Sequence, residues 1–144
     1  MSKYRTGYTQ GVYDMFHIGH LNLINHAAMY CDRLIVGVNS DRLVEEYKHK
    51  KPVIPENERK EIIANIKAVD RAEIVDTLDK LVQYRRFGFD AVFIGDDWKG
   101  TRRWAETEKE LAALGVDVVY LPHTDGVCST ELRDQEDMRV KDGK

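Results

Sequence analysis

Two histidines, His17 and His20, stand three residues apart with Gly19 between them in the stretch GVYDMFHIGHLNLI, residues 11 to 24. At the start of a helix, two such side chains lie close together and can donate Nε2–H bonds to a single group. A nucleotide α-phosphate under attack is such a group, because charge accumulates on its oxygens as the transition state forms. Gly19 allows close backbone approach, and a first helical turn offers unpaired N–H groups and the positive end of the helix dipole. The same residues also read as a capping or core pair, or as two metal ligands, although no Cys or Asp partner at zinc spacing accompanies them.

Three other stretches carry chemistry. The cluster KHKK, Lys48 to Lys51, is either a solvated charge run or a bridge that relieves repulsion between two phosphates. In FIGDDWKG the adjacent acids Asp96 and Asp97 could hold Mg²⁺, cap the next helix, or accept a hydrogen bond from a base amino group such as cytosine N4. In HTDGVCSTELR, residues 123 to 133, Ser129 or Thr130 reads as a helix N-cap, and with Gly126 the same helix start serves as a second phosphate cradle. Cys128 there reads as a small packing residue.

These residues need a frame to hold them. Short β-prone runs at residues 7–12, 34–39, 72–75, 91–94 and 116–121 alternate with helical patterns at 19–30, 41–47, 56–66, 78–87 and 101–114. Leu21, Ile24 and Ala28 share one helical face, as do Ile62, Ile63 and Ile66, so the helices can cover a sheet. Such alternation predicts βαβ units, a parallel sheet and helices on both faces. In that architecture ligands bind beyond the carboxyl ends of the strands at the switch point, and the two histidines stand at the first strand-to-helix junction. The segment YKHKKPVIPEN, residues 47 to 57, is the one clear long loop. Arg102, Arg103 and Trp104 read either as a helix start at the surface or as a clamp on a substrate.

The bulk properties bound the rest. A chain of 144 residues suits one domain with a single core. No apolar run approaches the roughly 18 residues of a membrane span, and the first ten residues lack the apolar core of a signal peptide. Two cysteines, Cys31 and Cys128, are too few for a disulfide framework, so a cytoplasmic setting is expected. A net charge of −3 argues against a general polyanion binder, and neither a nucleic-acid partner nor membrane insertion is expected.

The segment GVYDMFHIGH is similar to the GxFDxxHxGH opening of the cytidylyltransferases, a family of the HxGH nucleotidyltransferase superfamily. GDDW, Gly95 to Trp98, and TDGVCST, Thr124 to Thr130, resemble that family's GDDW and RTEGISTT motifs, and order and spacing agree over roughly residues 7 to 133. Bacterial glycerol-3-phosphate cytidylyltransferases are the members most resembled. The resemblance implies an α/β fold, a single Rossmann-like doubly wound, mainly parallel five-stranded sheet over residues 1–133; residues 134–144, charged and nearly without apolar anchors, read as a frayed tail. The resemblance also implies a reaction in which CTP and a phosphorylated alcohol give a CDP-alcohol and pyrophosphate.

Carried over position by position, the resemblance makes His17, His20 and Lys50 catalytic. It assigns CTP binding to Gly11, Val12, Tyr13, Gly19, Asp97, Trp98, His123, Thr124, Gly126, Ser129 and Thr130. Lys48 and Lys80 would meet the acceptor phosphate, and Asp14 and Arg59 would support the site. Mg²⁺ would accompany CTP without a dedicated metal site, and the molecule would be a homodimer. The chain departs from the pattern at His123, where the family has arginine, at Cys128, where it has serine, and at Lys67, where it has arginine. The stretch after Trp98 is also longer than in the short relatives. Phosphocholine, phosphoethanolamine or another polyol phosphate remain alternative acceptors. An adenylyltransferase is disfavoured by GDDW, and a nucleotide-binding regulatory module is the non-enzyme alternative.

Overall fold

A computed structural model describes residues 3–96 and 99–122. Within them the chain forms β1 (Tyr4–Gly11), α1 (Ile18–Ala28), β2 (Cys31–Asn39), α2 (Asp41–Lys48), α3 (Glu56–Ala64), β3 (Arg71–Val75), α4 (Lys80–Phe87), β4 (Ala91–Gly95), α5 (Arg102–Ala112) and β5 (Asp117–Leu121). All five expected strands and all five expected helices are present, their ends either as expected or shifted by no more than three residues. The strands form one sheet in the order β3-β2-β1-β4-β5, and every pairing is parallel. The fold is therefore the α/β, Rossmann-like, doubly wound sheet that the alternation predicts. No described helix is long and apolar enough to cross a membrane.

Strand alternation sorts side chains onto two faces. Leu34, Val36 and Val38 of β2 join Ile24 and Ala27 of α1 and Ile63 of α3 in one cluster. On the other face Ile35 packs with Tyr8, Phe87 of α4, and Trp104 and Leu111 of α5. Each large apolar side chain so buried contributes roughly 1.5–3 kcal/mol, more than an exposed ion pair such as Arg42–Glu46 supplies. Gly37 has a specific reason to lack a side chain: the Tyr8 hydroxyl occupies the space its Cβ would need. That tyrosine ring lies stacked on Phe89 with centroids 4.7 Å apart.

The sheet order explains where a site can form. From β1 the chain winds outward through β2 to β3, then crosses back through α4 to enter β4 on the other side of β1. The chain therefore leaves β1 and β4 in opposite senses, and the switch point at which sheets of this kind bind ligands lies between them. Both the histidine stretch and the GDDW stretch begin at that edge.

Candidate active site

The β1–α1 junction is built from strained backbone. Tyr13 and Met15 both have positive φ, 56° and 49°, a region that side chains with a Cβ rarely enter. Tyr13 is buried, and burial pushes its hydroxyl up to about 12. Its ring lies against Gly11, where a Cβ would stand 3.0 Å from the Tyr13 ring.

His17 is the N-cap of α1. Its Nδ1 accepts from the Gly19 N–H at 3.0 Å, while its own N–H donates to His20 Nδ1 at 3.2 Å. This is a reciprocal capping box made from two imidazoles. The rings stack with centroids 3.9 Å apart, and His20 is flanked by the edge of Tyr13 at 5.5 Å and by Phe16 at 5.3 Å. Because each Nδ1 accepts a backbone N–H, the neutral form of each ring must carry its proton on Nε2. Both side chains are only partly buried, and each neutral ring carries its Nε2–H donor in a fixed tautomer.

The capping reading of the pair is thus what the structure shows. One expectation narrows: the N–H groups of Gly19, His20 and Leu21 are not left open. Gly19 N–H is taken by His17, and the His20 and Leu21 N–H groups go to the His17 carbonyl at 3.0 and 3.2 Å.

Asp14 and Arg59 hold this junction to the basic loop. The Asp14 carboxylate accepts from the N–H groups of Val53 and Ile54 at 2.8 and 2.9 Å, so it anchors the segment immediately after the lysine cluster. Arg59 on α3 is 1% exposed and donates to the carbonyls of Ile54, Val12 and Asn39, each at 2.8 Å, and to Asp41 Oδ1 at 2.6 Å. It therefore ties together the ends of β1 and β2, the start of α2 and the basic loop, and acts as a support for the site. Lys48 is the last residue of α2 and Lys50 follows in the loop; both are exposed. Between them His49 takes the left-handed conformation, φ 61°, that ends the helix.

Lys80 begins α4, behind the Asp79 N-cap. Its ammonium donates to the Leu78 carbonyl at 3.0 Å and lies 5.1 Å from the centroid of Trp104. Burial, with the Arg103 charge beside it, lowers its pKa to about 8, while Asp79 opposes the shift. Arg102 and Arg103 are exposed at the start of α5, as the helix-start reading has it, while Trp104 is a core residue. Asp97, Trp98, His123, Thr124, Gly126, Ser129, Thr130, Cys128 and the 134–144 tail lie outside the described residues.

Sequence reasoning passed over a polar chain beneath this edge. Gln10 Nε2 donates to Asn39 Oδ1 at 2.9 Å and to the Thr77 carbonyl at 3.0 Å, and Asn39 Nδ2 donates to Tyr47 Oη at 3.0 Å. A Gln and an Asn closing adjacent apolar strands were the available signal, since polar side chains in a sheet interior need partners. Among the described residues no cluster of three His, Cys, Asp or Glu is set to hold a metal ion.

Comparisons with known proteins agree with this geometry. The family model described as cytidylyltransferase-like matches residues 8–135. Bifunctional protein HldE from Rhodopseudomonas palustris (strain TIE-1) is 35% identical over 129 residues, 89% of this chain and 26% of that protein. HldE from Koribacter versatilis (strain Ellin345) is 33% identical over 125 residues, covering 86% and 25%. The chain therefore spans about a quarter of the length of these curated relatives. Among solved structures, the lipopolysaccharide core biosynthesis protein from Thermoplasma volcanium GSS1 superposes with TM-score 0.71 at 26% identity, over 86% of this chain and 99% of that one. Pantoate-beta-alanine ligase from Francisella tularensis, solved with beta-gamma ATP and beta-alanine, shares the fold at TM-score 0.61 and 12% identity, over 88% of this chain and 62% of that one. With a family model spanning nearly the whole sheet and the paired histidines at its first junction, the chain belongs to the cytidylyltransferase-like family.

Proposed function

We propose that the chain is a cytidylyltransferase that moves CMP from CTP to a phosphorylated alcohol, glycerol 3-phosphate first among the acceptors, giving CDP-glycerol and pyrophosphate. The observation that carries this reading is the imidazole pair, two Nε2–H donors locked by backbone bonds at the switch-point edge. Donors fixed before the substrate arrives need no reorganisation when charge develops, which is how such groups lower a barrier.

In this mechanism an oxygen of the acceptor phosphate attacks the α-phosphorus in line. A new P–O bond forms, the bond from the α-phosphorus to the bridging oxygen breaks, and pyrophosphate leaves with the electron pair. A phosphate monoester has its second pKa at about 6, so it attacks already ionised and no general base is required. His17 and His20 steady the α- and β-phosphate oxygens, and Lys50 reduces repulsion between the two anions. Lys48 and Lys80 hold the acceptor phosphate. Mg²⁺ would travel with the triphosphate and neutralise part of its charge, bound through phosphate oxygens and water. Preference for CTP rests on the GDDW likeness, through Asp97 as the acceptor for cytosine N4.

A second reading has its own support. A relative solved by crystallography is named for lipopolysaccharide core biosynthesis, which favours a phosphorylated sugar as acceptor and leaves the nucleotide base open. One assay separates the two: pyrophosphate release with Mg²⁺ and either CTP or ATP, against glycerol 3-phosphate, phosphocholine, ribitol 5-phosphate and a hexose 1-phosphate. Release with CTP and glycerol 3-phosphate is the expected result. Release with ATP and the sugar phosphate alone would move both substrates, and no release from any pair would overturn the enzyme reading.

A further inference from the structure

The region around Lys80 holds more positive charge than the described structure balances. Lys80 and Arg103 make no ion pair among the described residues. The carboxylate that acts on Lys80 is Asp79, and one of its oxygens is spent on the Leu81 N–H at 2.9 Å, capping α4. Lys80 and Arg103 thus set two positive charges against the single carboxylate of Asp79, a shortfall that an anion would make up.

This pair also belongs to the edge where the acceptor must sit. The Thr77 carbonyl, in the loop that leads to Lys80, accepts from Gln10, which continues through Asn39 to Tyr47 on α2. The polar chain thus joins the Lys80 loop to the helix that ends in Lys48. Arg103 sits in the first turn of α5 beside Trp104, over whose ring the Lys80 ammonium lies. Its charge is felt both at the Lys80 amine and at the Tyr47 hydroxyl.

We propose that Lys80 and Arg103 form a two-cation grip on the acceptor phosphate, and that Arg103 makes the site select phosphorylated polyols and sugars over phosphorylated amino alcohols. This deepens the function proposed above and rests on its assignment of Lys80 to the acceptor. A phosphate dianion matches two positive charges, and an arginine fork can bond two of its oxygens at once. A quaternary or primary ammonium on the same acceptor would meet like charge. It would also lack the aromatic face such groups use, because Lys80 already covers Trp104.

Equilibrium binding tests this without requiring turnover. Calorimetry would measure glycerol 3-phosphate and phosphocholine on the wild type, Arg103→Gln and Arg103→Lys, with CTP titrated into each as a control. Glycerol 3-phosphate is expected to bind the wild type at least about tenfold tighter than phosphocholine, and Arg103→Gln to weaken it by about tenfold or more. Arg103→Lys should restore most of the loss, while CTP affinity stays within about twofold across the set. Equal binding of the two acceptors, or unchanged glycerol 3-phosphate affinity in Arg103→Gln, would overturn the inference. Selective acceptor binding with no pyrophosphate release would leave the grip standing and remove the cytidylyltransferase reading instead.

Discussion

On the proposed function, the nucleotide side and the acceptor side of this edge are built on different plans. At the β1–α1 junction each imidazole is fixed by a backbone bond through Nδ1 and by ring contacts, and Arg59 and Asp14 brace the surrounding chain with six further bonds. On the proposed acceptor side, Lys48 and Arg103 are exposed at helix ends, while Lys80 is held by the Leu78 carbonyl and lies over Trp104. The difference teaches that the histidine junction is cross-braced through the backbone, whereas the groups proposed to meet the acceptor, Lys80 apart, sit where substitution costs the fold little.

The sharpest way to break that contrast is at the histidines. His17→Ala and His20→Ala should each lower kcat by on the order of 10² or more, as loss of an oxyanion donor does. His17→Asn separates cap from chemistry, because Asn is a good N-cap yet has no Nε2–H. It should keep its Tm close to the wild type and still lose about as much turnover; near-normal kcat in that variant would end the catalytic assignment.

Next comes Arg59→Met, which strands three carbonyls and the Asp41 carboxylate. It should destabilise the fold by about 3 kcal/mol in urea unfolding. A loss below about 1 kcal/mol would mean that the bracing is not rigid.

Smaller still, Asp14→Ala should raise the KM for CTP several-fold and cost about 1 kcal/mol of stability, since only the 53–54 segment is released. A drop in kcat matching that of the histidine variants would instead put Asp14 at the reacting atoms.

The mildest effect is on the acceptor side and depends on pH. Lys80 is lowered from 10.5 to about 8 by burial first and by Arg103 second, with Asp79 opposing. Its positive charge is lost as pH rises through that value, so the acceptor KM should climb between pH 8 and 9.5, and Lys80→Arg should flatten the rise. For the fold the sign is opposite. Between about 8 and 10.5 the unfolded chain binds the proton that the folded one has released, so Lys80 adds stability as pH increases through that window. A flat acceptor KM in the wild type would count against its place at the acceptor.

Much of the architecture was legible because each element announces itself locally. Ser40 ahead of Asp41, Asp79 ahead of Lys80 and Thr101 ahead of Arg102 are N-caps readable from the sequence, and each accepts a bond in the first turn. Strand β1 begins at Tyr4, three residues before the expected start, because Tyr4 lies in register with Cys31, a pairing decided by distant chain. The site was legible as residue types and much less as partners. Nothing near His17 shows that His20 will return its bond, and nothing near Arg59 names Asp41, eighteen positions earlier. Arg103 stayed ambiguous because its meaning depends on where α5 brings Trp104 against Lys80.

Arg59 also bears on how the molecule comes apart. Its four acceptors come from segments around residues 12, 39, 41 and 54, which meet only after β1, β2 and α3 have docked. Bonds that close last are absent from the folding transition state, so their loss speeds unfolding and leaves the refolding rate nearly unchanged. In a denaturant chevron of Arg59→Met the shift should fall on the unfolding limb, and a shift on the folding limb would place the residue in the nucleus. The lifetime of the folded state, rather than the time taken to reach it, is then what this one buried guanidinium sets.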